Sequence, residues 1–217
     1  MQVIDLSQRL EAGMPCYPGT PAPRFQPIST IASNGFAEQL LTFSSHTGTH
    51  IDLPSHILAG APSLDAFDIS RFAGNGLVLD VRNIHDCLMT LEMLKPFQAD
   101  ITECEFLLLC SGMSNTWGTS AYFEQYPTLS LEAAQWLAGL QLKGVGVDML
   151  SVDAPDATDF PIHKILLQQG LIIVENLANL FPLLHQSFIF CCFPLKISQG
   201  DASPVRAVAL FDSNNCY

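Results

Sequence analysis

Basic residues are scarce in this chain of 217 residues, which has 9 lysines and arginines against 21 aspartates and glutamates. The formal net charge of −12 leaves little for the basic face that a nucleic-acid-binding protein needs, and it disfavours binding to anionic membranes. Charged residues make up 14% of the chain and hydrophobic residues 48%, which excludes a disordered chain and supplies enough apolar side chains for a core. The length suits a single domain over residues 1–217.

Long hydrophobic runs are also missing from the sequence. The apolar stretches LIIVENLANLFPLL (171–184) and FLLLC (106–110) are interrupted or short, so no segment is expected to span a bilayer. The opening MQVIDLSQRL has no basic start and no long apolar run, so no signal peptide is expected. The seven cysteines lack metal-finger spacing and are interpreted as reduced thiols of a cytoplasmic protein.

Short apolar runs alternate with helical patterns along the chain, which predicts an α/β domain. The runs are apolar at nearly every position, and this predicts strands that are covered on both faces. The predicted strands are 76–81, 106–110, 144–149, 171–175 and 205–211.

Capping residues define the predicted helices between these strands. Ser130 is predicted to cap one helix, Gly170 to end another, and Asp159 to cap the start of that second helix. The proline-rich residues 13–27 are predicted to form a loop or an extended arm. Strand candidates in 28–45 are not separated by helices and are predicted to form a second, antiparallel layer.

Histidine is scarce as well, yet three of the six histidines fall within HTGTHIDLPSH (46–56). Glycine and β-branched residues disfavour a helix here, and an extended chain places alternate side chains on one face. His50 and Asp52 can then reach one metal ion. His46 would lie roughly 13 Å from His50 in a straight strand, so it can be a ligand only if the chain bends, and Gly48 permits the bend.

Imidazole and carboxylate ligands without thiolate are typical of a catalytic zinc, manganese or iron site rather than a structural zinc. His56 follows the rigid Pro54, so it is predicted to stay off the metal and to act as a general acid or base. His163 and Glu175 are a further pair that a helix and a returning strand would bring to one level. From the residues alone, metal binding by this pair stays open.

Other polar residues have less specific settings. Asp148 and Asp153 are interpreted as groups that support the ligands, as helix caps or as loop residues, and these alternatives stay open. His85 and His185 are interpreted as surface residues.

HTGTHIDLPSH resembles the HxGTHxDxPxH signature of the cyclase-like metal-dependent hydrolases, a family that includes bacterial kynurenine formamidase and isatin hydrolase. The resemblance extends over nearly the whole chain. The family's opening, second metal-site and closing segments are similar to IDLSQRLEAGMPCYPGTP, GVGVDMLSVDAPDATDFPIHKILLQQGLIIVENLANL and FPLKISQGDASPVRAVAL, in that order.

The resemblance implies a swivelling β/β/α-type fold with a mixed sheet and flanking helices, and two divalent ions, zinc or manganese. Asp52 would bridge the two ions, and His56 would be the catalytic residue. The implied metal ligands are His46, His50, Asp52, His163 and Glu175. The resemblance also implies a homodimer or larger oligomer, in which the N-terminal arm (1–27) helps to build the neighbouring subunit's pocket.

The reaction that the resemblance implies is hydrolysis of an amide C–N bond by metal-activated water, most simply N-formylkynurenine to kynurenine and formate in tryptophan catabolism. Tyr17 is expected near this small-molecule substrate. The family often has Trp-Pro-Gly-Asp-Pro where this chain has Thr20 in place of the acid, so substrate identity stays open. The alternatives are a sister hydrolase of a cyclic amide or lactone, a metal-dependent binding protein without turnover, and a structural metalloprotein.

Overall fold

The apolar strand FLLLC (106–110) lies at the centre of the molecule. The structure is a computed structural model that describes residues 1–84 and 87–211. Leu107 and Leu109 pack into a core with the helices, whereas Phe106 and Leu108 pack into a second core on the opposite face, and all four are fully buried. The prediction that this strand is covered on both faces is therefore confirmed.

The described residues form thirteen β-strands and five α-helices. The strands are β1 (Gln2–Asp5), β2 (Arg24–Ser29), β3 (Glu38–Thr42), β4 (His50–Asp52), β5 (Ala73–Asp80), β6 (Leu88–Met89), β7 (Phe106–Cys110), β8 (Thr128–Leu129), β9 (Gly144–Val147), β10 (Ile172–Glu175), β11 (Phe188–Cys191), β12 (Ala202–Pro204) and β13 (Val208–Phe211). The helices are α1 (Ile31–Asn34), α2 (Leu91–Leu94), α3 (Gln98–Glu103), α4 (Leu131–Ala138) and α5 (Pro161–Gln168). None of these helices is long and apolar enough to cross a membrane.

Nine strands form one mixed sheet in the order β1-β13-β11-β5-β7-β9-β10-β4-β12. The four central strands β5, β7, β9 and β10 run parallel, and the strands on either side join them antiparallel. The connections between the parallel strands contain α2 to α5, whose buried hydrophobic residues belong to one core. This arrangement confirms the predicted α/β class. All five predicted strands are present; 106–110 has the predicted ends and the other four have shifted ends.

Helix starts agree only in part with the sequence. Ser130 caps α4 by accepting the backbone N–H of Ala133, as predicted. The prediction of Asp159 as a cap is wrong, because α5 begins at Pro161 and Phe160 occupies the N-cap position. The N–H groups of the first turn are instead bound by the carboxylate of Asp153, which lies in the preceding buried loop.

The strands β2 and β3 form a separate antiparallel hairpin and pair with no other strand in the described parts of the chain. The antiparallel pairing predicted for residues 28–45 is present, but the hairpin starts at Arg24, inside the region predicted as loop or arm. Proline is tolerated in this unpaired-edge setting, which explains how Pro27 lies within a strand. The first residues of the predicted arm form β1, which pairs with β13 in the central sheet.

Candidate active site

Strand β4 supplies the centre of the candidate site and lies between β10 and β12, antiparallel to both. The register pairs His50 with Glu175, and it pairs Asp52 with Ile173. His50, Asp52 and Glu175 are all at least 95% buried, with exposures of 3%, 1% and 5%. Strand pairing therefore joins Glu175 to two residues that lie far from it in the sequence.

Gly48 makes the bend that brings His46 back toward β4. Its φ of +64° is left-handed, a conformation that glycine adopts without steric cost. The Nδ1 atom of His46 consequently lies 2.7 Å from Oδ1 of Asp52. The chain between His46 and His50 therefore bends at Gly48, the residue that was expected to permit the bend.

Four side chains meet around Asp52. His50 Nε2 lies 3.3 Å from Asp52 Oδ1 and 3.5 Å from Glu175 Oε2. His163 Nε2 lies 3.5 Å from Asp52 Oδ2 and 3.4 Å from Glu175 Oε1. The side chains form two groups of three that share Asp52, and within each group the potential ligand atoms lie within 4.8 Å of one another: His46, His50 and Asp52 in one, and Asp52, His163 and Glu175 in the other.

Hydrogen bonds fix the direction in which two of these imidazoles point. His50 donates from Nδ1 to the backbone carbonyl of Gly48 at 2.8 Å, since a carbonyl can only accept. His163 Nδ1 lies 2.6 Å from Oδ2 of Asp153. In both rings Nε2 is left free to face Asp52, which is the arrangement that orients histidine ligands at metal sites.

The residues fit a divalent metal. Within the described residues, neither carboxylate oxygen of the buried Asp52 accepts a well-aligned hydrogen bond. A buried carboxylate that accepts no well-aligned hydrogen bond is costly even beside imidazoles, and a cation among these ligands removes that cost. Histidine and carboxylate ligands without thiolate suit zinc or manganese.

The charged side chains of the site shift one another's pKa values. Burial by itself lowers the pKa of His46, but the carboxylates of Asp52 and Asp201 outweigh it and raise that pKa to about 9. Burial raises the pKa of Asp52, yet the surrounding histidines, first among them His50, hold it well below its usual range. Without metal, protons therefore compete for the imidazoles while the carboxylate stays charged.

His56 lies on a one-turn 3-10 helix that Pro54 begins. Its ring centroid is 4.1 Å from that of His46 and 5.9 Å from that of His163. Burial is the largest influence on this ring and lowers its pKa from the ordinary value of 6.5, despite nearby carboxylates. The imidazole is therefore neutral near pH 7 and able to accept a proton.

Asp201 is a residue of the site that sequence reasoning missed. Its Oδ2 atom lies 2.9 Å from His46 Nε2 and 3.5 Å from His56 Nδ1. Its backbone carbonyl accepts the N–H of Leu53, next to β4. The one available signal was that Asp201 lies in GDASPVR, part of the closing segment that resembles the family. No histidine or second acidic residue in GDASPVR marks Asp201 as part of a site.

A pocket of about 320 Å³ opens onto these groups. The potential metal ligands and His56 line the pocket together with the polar residues Ser151 and Asn176. The lining also includes Tyr17, Thr20, Ser44, Ile57, Leu150 and Phe160. Tyr17 and Thr20 thus lie where substrate contacts were expected, and the pocket volume suits a ligand with a single ring.

The remaining candidate residues lie elsewhere or support the site indirectly. Asp153 holds His163, as one of its open alternatives proposed. Asp148 accepts hydrogen bonds from Ser111, Gly112 and Ser114 and does not line this pocket. His185 is exposed on the surface, and His85 lies outside the described residues.

Known proteins are similar to this chain over most of its length. The family model Cyclase, described as "Putative cyclase", matches residues 4–154. A kynurenine formamidase of Salinibacter ruber is 31% identical over 214 residues, covering 96% of this chain and 97% of its own.

Solved structures show the same fold. An isatin hydrolase bound to the product analogue thioisatinate has a TM-score of 0.87 and 27% identity, covering 98% of this chain and 93% of its own. A predicted metal-dependent hydrolase from Bacillus stearothermophilus has a TM-score of 0.75 and 27% identity, covering 96% and 97%. The large mixed sheet with few helices is therefore the cyclase-like fold that the resemblance implied.

Proposed function

The chain belongs to the Cyclase family and is a metal-dependent hydrolase, and from this premise we propose that it is an arylformamidase that converts N-formylkynurenine to kynurenine and formate. The observation that carries the proposal is the pocket, whose lining combines two groups of potential metal ligands and His56 with the aromatic residues Tyr17 and Phe160. The kynurenine formamidase relative covers nearly the whole chain, which supports the same substrate class.

The proposed cofactors are two divalent ions per chain, zinc or manganese. His46, His50 and Asp52 would hold one ion, and His163 and Glu175 would hold the other together with Asp52. When bound, such ions polarise a carbonyl and lower the pKa of water toward neutrality. This chemistry needs the atom of each ligand that faces the metal to carry no proton. In His50 and His163 that atom is Nε2, because Nδ1 of each ring is engaged in a hydrogen bond.

The protein's own residues then govern the proton. Water adds its oxygen to the formyl carbon, the C–N bond breaks, and the nitrogen leaves as the aryl amine. Neutral His56 accepts the proton that the water loses and returns it to the departing nitrogen. The apolar side of the pocket, which includes Ile57 and Leu150, holds the aryl ring and keeps bulk water away from the formamide.

A second candidate is the opening of a cyclic amide, as in isatin. It is favoured by the TM-score of 0.87 with isatin hydrolase and by Thr20, which lines the pocket where relatives often have an acid. A binding protein without turnover would need the ligands but not His56. A structural metal site would not need a pocket of about 320 Å³ beside its ligands.

The first test is formate release from N-formylkynurenine by protein loaded with zinc or with manganese, with isatin as a parallel substrate. We expect kcat/KM at or above roughly 10⁴ M⁻¹s⁻¹ on the formamide. His56→Ala should keep its metal and lose about 10²–10⁴-fold in kcat. His185→Ala, which changes an exposed histidine, is the matched control and should be unchanged.

Opening of isatin without formate release would move the function to the second candidate. A His56→Ala variant with near wild-type turnover would remove the proposed proton transfer by His56. Loss of bound metal in that variant would show instead that His56 is a ligand.

We further propose that the protein acts as a cytoplasmic homodimer. The six cysteines within the described residues are all unpaired, which suits a reducing compartment. The isolated β2–β3 hairpin exposes about half of each of Ile28, Leu40 and Leu41. A two-stranded hairpin is marginally stable in water by itself, and a second copy of the chain is the occupant we propose for its apolar surface.

A further inference from the structure

Phe160 has a backbone conformation that its own sequence opposes. It lies at φ 50° and ψ 57°, in the left-handed region. That region is disfavoured for any residue with a Cβ atom, and the residue before a proline is normally extended. Phe160 is a bulky residue followed by Pro161, so two local preferences are overridden at one position.

The helix that follows does not explain this conformation. The N–H groups of Ile162 and His163 are bound by the carboxylate of Asp153, at 2.7 and 3.1 Å. Phe160 contributes only its backbone carbonyl, which accepts the N–H of Lys164 at 3.1 Å. Glycine could make the same backbone contact without strain, so the phenyl ring must account for the residue at this position.

The phenyl ring lies in the pocket beside the metal-ligand groups. Its centroid is 5.8 Å from the imidazole of His163, and the two rings are nearly perpendicular at 83°. Ile57 and Leu150 line the same pocket and complete an apolar surface with it. Residues held in unfavourable backbone conformations cluster at ligand-binding sites, where the surrounding structure keeps them in place.

We propose that Phe160 is a specificity-determining residue whose ring contacts the aromatic ring of the substrate while the substrate's acyl group reaches the metal-ligand groups. The inference deepens the proposed function and rests on it for the aryl amide substrate. The contact itself requires only a ligand with an aromatic ring, so it can be measured without turnover.

The test compares binding of benzoate and acetate to metal-loaded protein by isothermal titration calorimetry, together with the melting temperature. The carboxylate is common to both probes, and the ring distinguishes them. Phe160→Gly should weaken benzoate binding about three- to tenfold, the value of an aromatic pair, and change acetate binding less than about twofold. Phe160→Tyr keeps the ring and should bind benzoate like the wild type.

Stability separates this role from simple packing. Relief of the left-handed strain should offset the lost ring contacts, so Phe160→Gly should melt at or above the wild-type temperature. His185→Gly is the matched control, because His185 is exposed and has a φ of 61°. It should gain stability in the same way and leave benzoate binding unchanged.

Three results would overturn the inference: unchanged benzoate affinity in Phe160→Gly, a wild-type protein that does not prefer benzoate to acetate, or a melting temperature lowered by more than about 4 °C. The last would identify the ring as part of the core. The protein could fail to hydrolyse N-formylkynurenine and still bind benzoate in a way that depends on Phe160. That result would refute the arylformamidase proposal and leave this inference standing.

Discussion

Each buried histidine of the site presents one ring nitrogen to Asp52 because the other nitrogen already has a partner. For His163 that partner is Asp153, whose carboxylate also binds the first N–H groups of α5. One aspartate therefore orients a potential metal ligand and anchors the helix that carries it. Removing its charge should affect metal binding more than folding.

Asp153→Asn is expected to lower metal affinity about 10–100-fold, because the amide no longer offers a negative acceptor to His163 Nδ1. Titration of the metal-free protein against a chelator of known affinity measures the change. Asp159→Asn is the control, since Asp159 is exposed and lies in the same segment. Equal metal affinity in the two variants would show that the ring orients without Asp153.

Two aspartates mark the limit of sequence reasoning at this scale. Asp153 was one of several acids crowded into 148–159, and local pattern could not choose among its possible roles. Asp201 had no local signal, because it reaches His46 across 155 residues through the pairing of β12 with β4. The proximity of His46, His50 and Asp52 was predictable because the spacing that brings them together is contained in one short segment.

The bend before β4 is the element on which this geometry depends. A Cβ atom on Gly48 would lie 2.5 Å from Leu10 Cδ2, and φ is +64°. The carbonyl of Gly48 also accepts hydrogen bonds from His50 and from the Asn176 amide. A side chain at residue 48 should therefore disturb both the backbone and a ligand.

Gly48→Ala is expected to lose about 1–2 kcal/mol of folding stability from the backbone conformation alone, and to bind metal more weakly than the wild type. Thermal melting and metal titration measure the two effects. Gly13→Ala is the control, because Gly13 has a φ of +81° and meets no other described atom within 4 Å of the added carbon. Gly13→Ala should lose similar stability and keep its metal affinity. If Gly13→Ala lost as much metal affinity as Gly48→Ala, the weaker binding would follow from lower stability and not from the bend at Gly48.

Elements were predictable where their causes are local. The apolar runs predicted the central strands correctly, because a strand buried on both faces has apolar residues at nearly every position in its sequence. The start of α5 was mispredicted because its capping carboxylate comes from a residue nine positions before Ile162. The hairpin was partly assigned to a loop because Pro27 in its first strand, and the prolines that precede the strand, oppose the ordinary strand pattern.

At the scale of the whole molecule, the exposed hairpin leads to a prediction about mass. Light scattering should give twice the 23.7 kDa of the chain. The double variant Leu40→Ser with Leu41→Ser should be monomeric, because it removes the exposed leucines from both faces of the hairpin. Ile189→Ser is the control, since Ile189 is 42% exposed on the central sheet.

A monomeric wild-type protein would contradict the dimer. A double variant that stays dimeric would move the interface to another surface. Neither the hairpin's isolation nor its exposure could be predicted from sequence, because both depend on where the remaining chain packs.

The position of β4 in the sheet has a consequence for biosynthesis. Its two neighbours end at Glu175 and Pro204, so His50 and Asp52 leave the ribosome long before either strand exists. At about 5–20 residues per second, the wait for residue 204 is roughly 10–30 s. The nascent chain then carries three of its five proposed ligands without a site, and on this proposal metal acquisition is one of the last events of maturation, when the finished protein must compete for ions with the rest of the cell.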